Sequence, residues 1–138
     1  MELIKKITDS GYIYMIDYHN QDQHLAKIGV SDNVESRFRS IKSDVPRKAR
    51  LKLVLKMRVF APYAKESLIH GWFYRQKTRP RGAGTRAGKT EYFRLSRGDK
   101  LKVYIYLWAW SAYYYVVIGI LFATITFLII YFFAGVFS

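Results

Sequence analysis

Gly11-Tyr12-Ile13-Tyr14-Met15-Ile16-Asp17-Tyr18 leads into the polar run His19-Asn20-Gln21-Asp22-Gln23. Past His24 the chain continues Leu25-Ala26-Lys27-Ile28-Gly29-Val30. In the first segment Tyr12, Tyr14, Ile16 and Tyr18 point one way, and Ile13, Met15 and Asp17 the other. Period-2 alternation rich in Tyr and Ile is a strand signal. The polar run is short enough to be a hairpin loop. The stretch therefore reads as a β-hairpin with phenols on one strand and Lys27 on the other, and the rest of the chain is organised around it.

Downstream, Asp32 is placed to cap a helix, with Glu35 three residues on. This helix is expected to run to about Ser43 and stop before Pro46. Its inward stripe is Val34, Arg37, Phe38 and Ile41. A guanidinium on a core-facing stripe is costly unless it finds an anion, lies in a cleft or snorkels to the rim. Arg39 lies off the stripe, as a phosphate contact or plain surface. Arg47, Lys48 and Arg50 form a basic loop, solvated or in use by a phosphate backbone.

Leu51, Leu53, Leu55, Met57 and Val59 then alternate with Lys52, Val54, Lys56, Arg58 and Phe60, which predicts a strand with one core face and one largely cationic face. Pro62 suits the first position of a second helix, expected over about Tyr63 to Arg75. On it Glu66 and His70 are neighbours one turn apart. A carboxylate so placed can hold a hard cation through oxygen, or it can be an ordinary helical partner of His70.

Arg75 to Lys89 comes next, with Arg75, Lys77, Arg79, Arg81, Arg86 and Lys89 as cations and Gly82, Gly84 and Gly88 among them. It reads as a basic loop able to order on phosphate. Its Gly88-Lys89-Thr90 is not a phosphate-binding P-loop, because no strand precedes it and no helix succeeds it. Glu91-Tyr92-Phe93-Arg94-Leu95 reads as a closing strand, and Ser96 as a helix cap.

All 23 Lys and Arg and all 10 Asp and Glu of this 138-residue chain precede Val103, so the formal +13 belongs to the part up to Lys102. So basic a surface attracts nucleic acid or anionic lipid. Without cysteine, a disulfide framework and a thiolate metal site are excluded. Val103 to Ser138 carries no charge, and residues 116–137, about 33 Å as a helix, suffice for one membrane crossing. The Tyr and Trp residues from Tyr104 to Tyr115 read as an interfacial belt, although Tyr104 to Trp110 also alternates like a short strand. Arg97, Lys100 and Lys102 before the belt place the N-terminal domain in the cytoplasm. The expected organisation is a domain over 1–96, a basic and aromatic juxtamembrane linker over 97–115, and a transmembrane helix over 116–137.

The hairpin and the segments downstream of it resemble the GIY-YIG nuclease superfamily, in its phage-type branch. The residues that carry the resemblance are Gly11-Tyr12-Ile13-Tyr14, Lys27-Ile28-Gly29, Arg37, then Glu66, His70 and Arg75, and finally Glu91-Tyr92-Phe93. They cover about residues 11 to 95. The resemblance implies a small α/β domain whose central three-stranded antiparallel sheet is flanked by helices. It implies hydrolysis of a phosphodiester by water with one divalent ion, usually Mg2+. Carried over residue by residue, it gives Tyr14 the task of orienting or deprotonating the water, and Arg37 that of binding the phosphate. Glu66 would hold the metal, and His70 would relay a proton or position water. Glu91 would support the metal through a hydrogen bond or merely cap the strand. Lys27 stands where relatives have a second Tyr. A phenol donates and accepts, whereas an ammonium only donates, so Lys27 suits phosphate better than base chemistry.

The leading expectation is thus a membrane-anchored DNA endonuclease acting near the bilayer, for instance on incoming DNA. Nucleic acid, DNA ahead of RNA, and the lipid bilayer are its expected partners. Two alternatives stand beside it. One is a catalytically silent tether binding nucleic acid; the other is a basic domain lying on anionic lipid.

Overall fold

The computed structural model describes residues 9–81 and 92–136. Strand β1 (Ser10–Asn20) and strand β2 (Gln23–Ser31) form the expected hairpin. The register sets Tyr14 opposite Gly29 and Ile16 opposite Lys27. Only Gln21 and Asp22 separate the strands, and Gln21 takes a left-handed φ of 42°, as such tight turns require. The other edge of β1 pairs antiparallel with β3 (Arg50–Phe60).

This pairing corrects the sequence reading at one point. Met15 faces Leu55 but Ile16 faces Leu53, so the register shifts and Val54 is the additional residue of a bulge. Leu51, Leu53, Leu55, Met57 and Val59 therefore do not share one face. Leu55, Met57 and Val59 pack with Ile13 and Met15, whereas Leu51 and Leu53 pack with Tyr14 and Ile16. The cationic face is also less open than the pattern suggests. Lys56 pairs with Glu35, and Arg58 lies beside the rings of Tyr12 and Tyr114.

Helix α1 (Val34–Asp44) crosses one face of the sheet, over Tyr14 and Ile16, through Val34 and Ile41. Its cap is Asn33, not Asp32: the Asn33 side chain accepts the Ser36 N–H at 2.9 Å. Helix α2 (Pro62–Trp72) begins at proline as expected, on Ala61 in the left-handed region. It ends earlier than Arg75, and a single 3-10 turn over Tyr74–Gln76 replaces its last stretch. Two short strands come after it, β4 (Lys77–Thr78) and β5 (Tyr92–Phe93), so the closing strand is shorter than Glu91 to Leu95. The antiparallel sheet has five strands in the order β3-β1-β2-β5-β4, with the three expected long strands and two short ones beyond β2.

Helix α3 (Arg97–Val136) is one unbroken element of 40 residues, so Tyr104 to Trp110 is helical rather than a strand. Ser96 starts it as expected. The Ser96 hydroxyl accepts the Asp99 N–H at 3.1 Å, and the Asp99 carboxylate accepts the Ser96 N–H at 3.0 Å, a reciprocal capping box. These hydrogen bonds from Ser96 hold the Asp99 carboxyl below its ordinary 3.8. Lys100 then pairs with Asp17 of β1 at 2.7 Å. Val103 and Leu107, one turn apart, are wholly buried against the second sheet face, with Ile13, Met15, Ile69 and Phe73. The segment expected as a linker is therefore helical, and part of it is core. From Val116 to Ala134 the side chains are almost all exposed and none is charged. By length and apolarity this helix is a candidate membrane span. Its two threonines, Thr124 and Thr126, donate their hydroxyls back to the carbonyls of Ile120 and Phe122 at 2.8 and 2.9 Å, which would leave neither hydroxyl unsatisfied in hydrocarbon.

Candidate functional site

Three elements deliver three polar side chains to one place. Tyr14 comes from the middle of β1 and is 1% exposed. The hydroxyl end of its ring lies over Gly29 of the neighbouring strand. A Cβ at position 29 would stand 2.5 Å from the phenol oxygen and 2.7 Å from Cζ, so only glycine leaves room for the ring. Arg37 comes from α1, at the exposed rim of the helix stripe, with its guanidinium near enough to the phenol to favour its ionised form. Glu66 comes from α2, near enough for its charge to act on the same hydroxyl. Burial pushes the Tyr14 phenol above its ordinary 10.0, Arg37 opposes that rise, and Glu66 adds to it. Tyr14 is therefore a neutral phenol at pH 7.

His70 lies one turn beyond Glu66 on α2. Its Nε2 is 3.1 Å from the carbonyl oxygen of Ile28 and 4.0 Å from Glu66. A carbonyl only accepts, so Nε2 carries the proton and donates to β2. The imidazole also packs at 4.9 Å on the Phe93 ring. His70 thus fastens α2 to the sheet beside Glu66.

Lys27 is on the same sheet face as Tyr14, one register step along, and is 4% exposed. Its ammonium lies 5.3 Å from the centre of the Tyr92 ring. The remaining expected contacts are peripheral. Arg39, Arg75, Lys77, Arg79 and Arg81 are all on the surface, Arg39 on α1 and the others along the stretch that leaves α2. The backbone of Arg81 is tied to Gln23 at 2.8 Å. Arg86, Lys89 and Glu91 lie outside the described residues.

Among the described residues no three His, Cys, Asp or Glu side chains gather into a cluster. A magnesium ion suits such a donor set, since it keeps several waters and takes one or two carboxylates plus substrate phosphate. Glu66, partly buried beside Arg37 and Tyr14, is the carboxylate for that role. The sequence reading quoted Gly29 only as the end of Lys27-Ile28-Gly29, with no steric role, and missed Lys65. Gly29 was legible as a glycine inside a strand, which signals close approach of another group. Lys65, 8% exposed, donates to the Phe60 carbonyl at 2.6 Å and lies 4.1 Å from the Trp110 ring centre, tying α2 to α3; burial pushes its ammonium pKa down. No local pattern marks that pairing.

A five-stranded antiparallel sheet, a buried phenol beside an arginine and a carboxylate, and a strongly basic composition define a small α/β domain on a long apolar helix. The chain belongs to the T5orf172 domain family, whose pattern it matches over residues 11–108. This is a domain found in phage-type nuclease-like proteins. The match runs into α3 as far as Trp108, past the buried Val103 and Leu107. No curated protein and no solved structure matches the chain.

Proposed function

We propose that this protein is a membrane-anchored, divalent-metal-dependent endonuclease of the GIY-YIG type, hydrolysing DNA phosphodiester bonds close to the bilayer. The observation that carries the proposal is the meeting of Tyr14, Arg37 and Glu66 from three separate elements inside a T5orf172 domain. Hydrolysis needs a positioned water, charge neutralisation on the phosphate and a stabilised leaving oxygen. Arg37 binds a non-bridging phosphate oxygen beside Tyr14. Tyr14 orients the attacking water through its hydroxyl. Lys27 donates to the phosphate from the same sheet face. Glu66 holds the divalent ion, and His70 keeps α2, and so Glu66, in register with β2. When bound, the ion supplies charge neutralisation on the phosphate and on the departing oxygen. The water oxygen forms the new P–O bond as the ester P–O bond breaks, and the proton that the water gives up passes through solvent to the leaving oxygen.

The surface cations Arg39, Arg75, Lys77, Arg79 and Arg81 suit contacts to the phosphate backbone, which position nucleic acid without reading sequence. α3 provides the anchor, and the basic residues before its apolar part favour a cytoplasmic domain. An action on DNA entering the cell fits that placement.

The test uses the full chain in detergent with supercoiled plasmid, with magnesium or with chelator, beside Glu66→Gln and Arg37→Ala. Nicking that needs the metal and both side chains is expected. Salt-sensitive binding with no cleavage of DNA or RNA would instead establish a tether. That second reading is favoured by one feature, an ammonium at Lys27 where a phenol stands in the GIY-YIG pattern.

A further inference from the structure

α3 is bound to the domain along its first half at successive levels. Lys100 pairs with Asp17 at 2.7 Å, Val103 and Leu107 are wholly buried, Trp110 lies on Lys65, and Tyr114 packs 4.6 Å from Phe60. Between Asp99 and Ile118 the helix has no glycine or proline at which to bend. The apolar part therefore continues from the folded domain without a hinge.

The contacts also give the helix a direction. Lys100 meets β1 at Asp17, and Tyr114 meets Phe60, which pairs with Ser10 of β1. From Lys100 to Tyr114 the helix advances about 21 Å. From Asp17 to Ser10 the strand spans about 24 Å. Two paths of nearly equal length between the same two levels run nearly parallel. The central strands thus lie along the helix axis. One end of the sheet, with Ser10, Phe60 and the start of α2, is where the apolar helix leaves the domain. The hairpin turn at Gln21 is at the other end.

We infer that the domain is seated on the lipid headgroups by the Phe60–Tyr63 end, with the hairpin turn pointing away and the Tyr14 site at a fixed height above the bilayer. This inference rests on the reading of α3 as a membrane span. The exit end is fitted to an interface. Tyr63, contributed by the domain and not by α3, is 63% exposed, and Tyr113 and Tyr115 of α3 are 53% and 59% exposed. Beside Tyr63 a notch is lined by Ala61, Pro62 and Ala64, with the Asp9 carboxylate at its edge, a polar group that headgroups and water can solvate. Tyr is favoured where an apolar ring meets headgroups while its hydroxyl stays wet. Tyr14 is four residues along β1 from Ser10, a rise of about 13 Å, whereas Gln21 is about 36 Å away. The substrate is then nucleic acid held against the membrane surface, because a phosphate must come within about that first distance of the lipid to reach the site.

The chain has no cysteine, so single cysteines can carry a fluorophore without background. Full-length Tyr63→Cys, Gln21→Cys and Leu128→Cys would be labelled and reconstituted in vesicles containing nitroxide lipids, with the spin label at the headgroup or mid-chain. Expected is strong headgroup quenching at position 63, at least about threefold above position 21, and mid-chain quenching at position 128. Mid-chain quenching at 128 with equal headgroup quenching at 63 and 21 would overturn the seating and leave the span intact. Absence of quenching at 128 would overturn the span, and the seating with it.

Discussion

The Tyr14 phenol rests on the α-carbon of Gly29, with no space for even one methyl group between strand β2 and the ring. Gly29→Ala must displace the ring, since a Cβ would meet the phenol oxygen at 2.5 Å and Cζ at 2.7 Å. Overpacking of this kind costs about 1–3 kcal/mol. A catalytic group displaced by about 1 Å costs about 10²-fold in rate. Thermal unfolding and plasmid nicking of the full chain should therefore both suffer. Tyr14→Phe, which keeps the ring and loses only the hydroxyl, should lose nicking with a far smaller change in melting temperature.

The neighbours of Tyr14 act on its ionisation in opposite directions. Arg37→Ala removes a guanidinium that lowers the phenol pKa, so the pKa should rise further above 10.0. Glu66→Gln removes a charge that raises it, so the pKa should fall. NMR titration with ¹³C-labelled tyrosine, with Tyr14→Phe for assignment, would read both shifts. Equal shifts in one direction would contradict the placement of Glu66. The linkage has a definite sign as well. A folded-state phenol pKa above the unfolded value means that stability is intact below 10.0 and is lost as pH rises through that value towards the folded pKa. Tyr14→Phe should flatten the alkaline loss.

Leu107 is wholly buried and Leu128 is 58% exposed, although both lie on the same helix. Leu107→Ala should destabilise the domain by about 2–5 kcal/mol, whereas Leu128→Ala should leave its unfolding unchanged. A chain ended after Lys102 lacks both Val103 and Leu107 and should lose cooperative unfolding. One ended after Tyr115 keeps the packed half of α3 and should retain it. Circular dichroism melts of the two truncations would decide.

Ser96→Ala removes one half of the capping box at the start of α3 and should cost about 1 kcal/mol. The Asp99 carboxyl is held below 3.8 by its hydrogen bonds to Ser96, so its contribution is present above that value and is lost as pH falls through the folded pKa. The stability difference between wild type and Ser96→Ala, measured by denaturant titration, should therefore shrink in acid. By contrast Lys100→Met, which breaks a partly exposed ion pair with Asp17, should cost no more than about 1 kcal/mol.

The hairpin was legible because its alternation, its polar turn and Gly29 are local features that bear on backbone conformation directly. The same holds for Pro62 at the start of α2, the Ser96 cap and the length of the uncharged helix. Where the reading erred, a local signal had a near-equal neighbour or was overridden by packing. Asn33 caps α1 one residue after Asp32, and both are good caps. The aromatic alternation from Tyr104 to Trp110 yields to a helix because Val103 and Leu107 bury one stripe in the core.

Local pattern in the chain settles which elements form, where the charge stops, and which residues are candidates for chemistry. These properties arise from short-range periodicity, backbone preference and composition. The meeting of Tyr14, Arg37 and Glu66 is a product of tertiary packing, since they come from a strand and two helices and no spacing along the chain encodes their approach. Packing also makes the bulge at Val54 split the leucines of β3 between two faces, and makes the first half of α3 core while its second half is not. Those outcomes are set by long-range pairing and by the volume each sheet face must fill, which act between residues far apart in the chain.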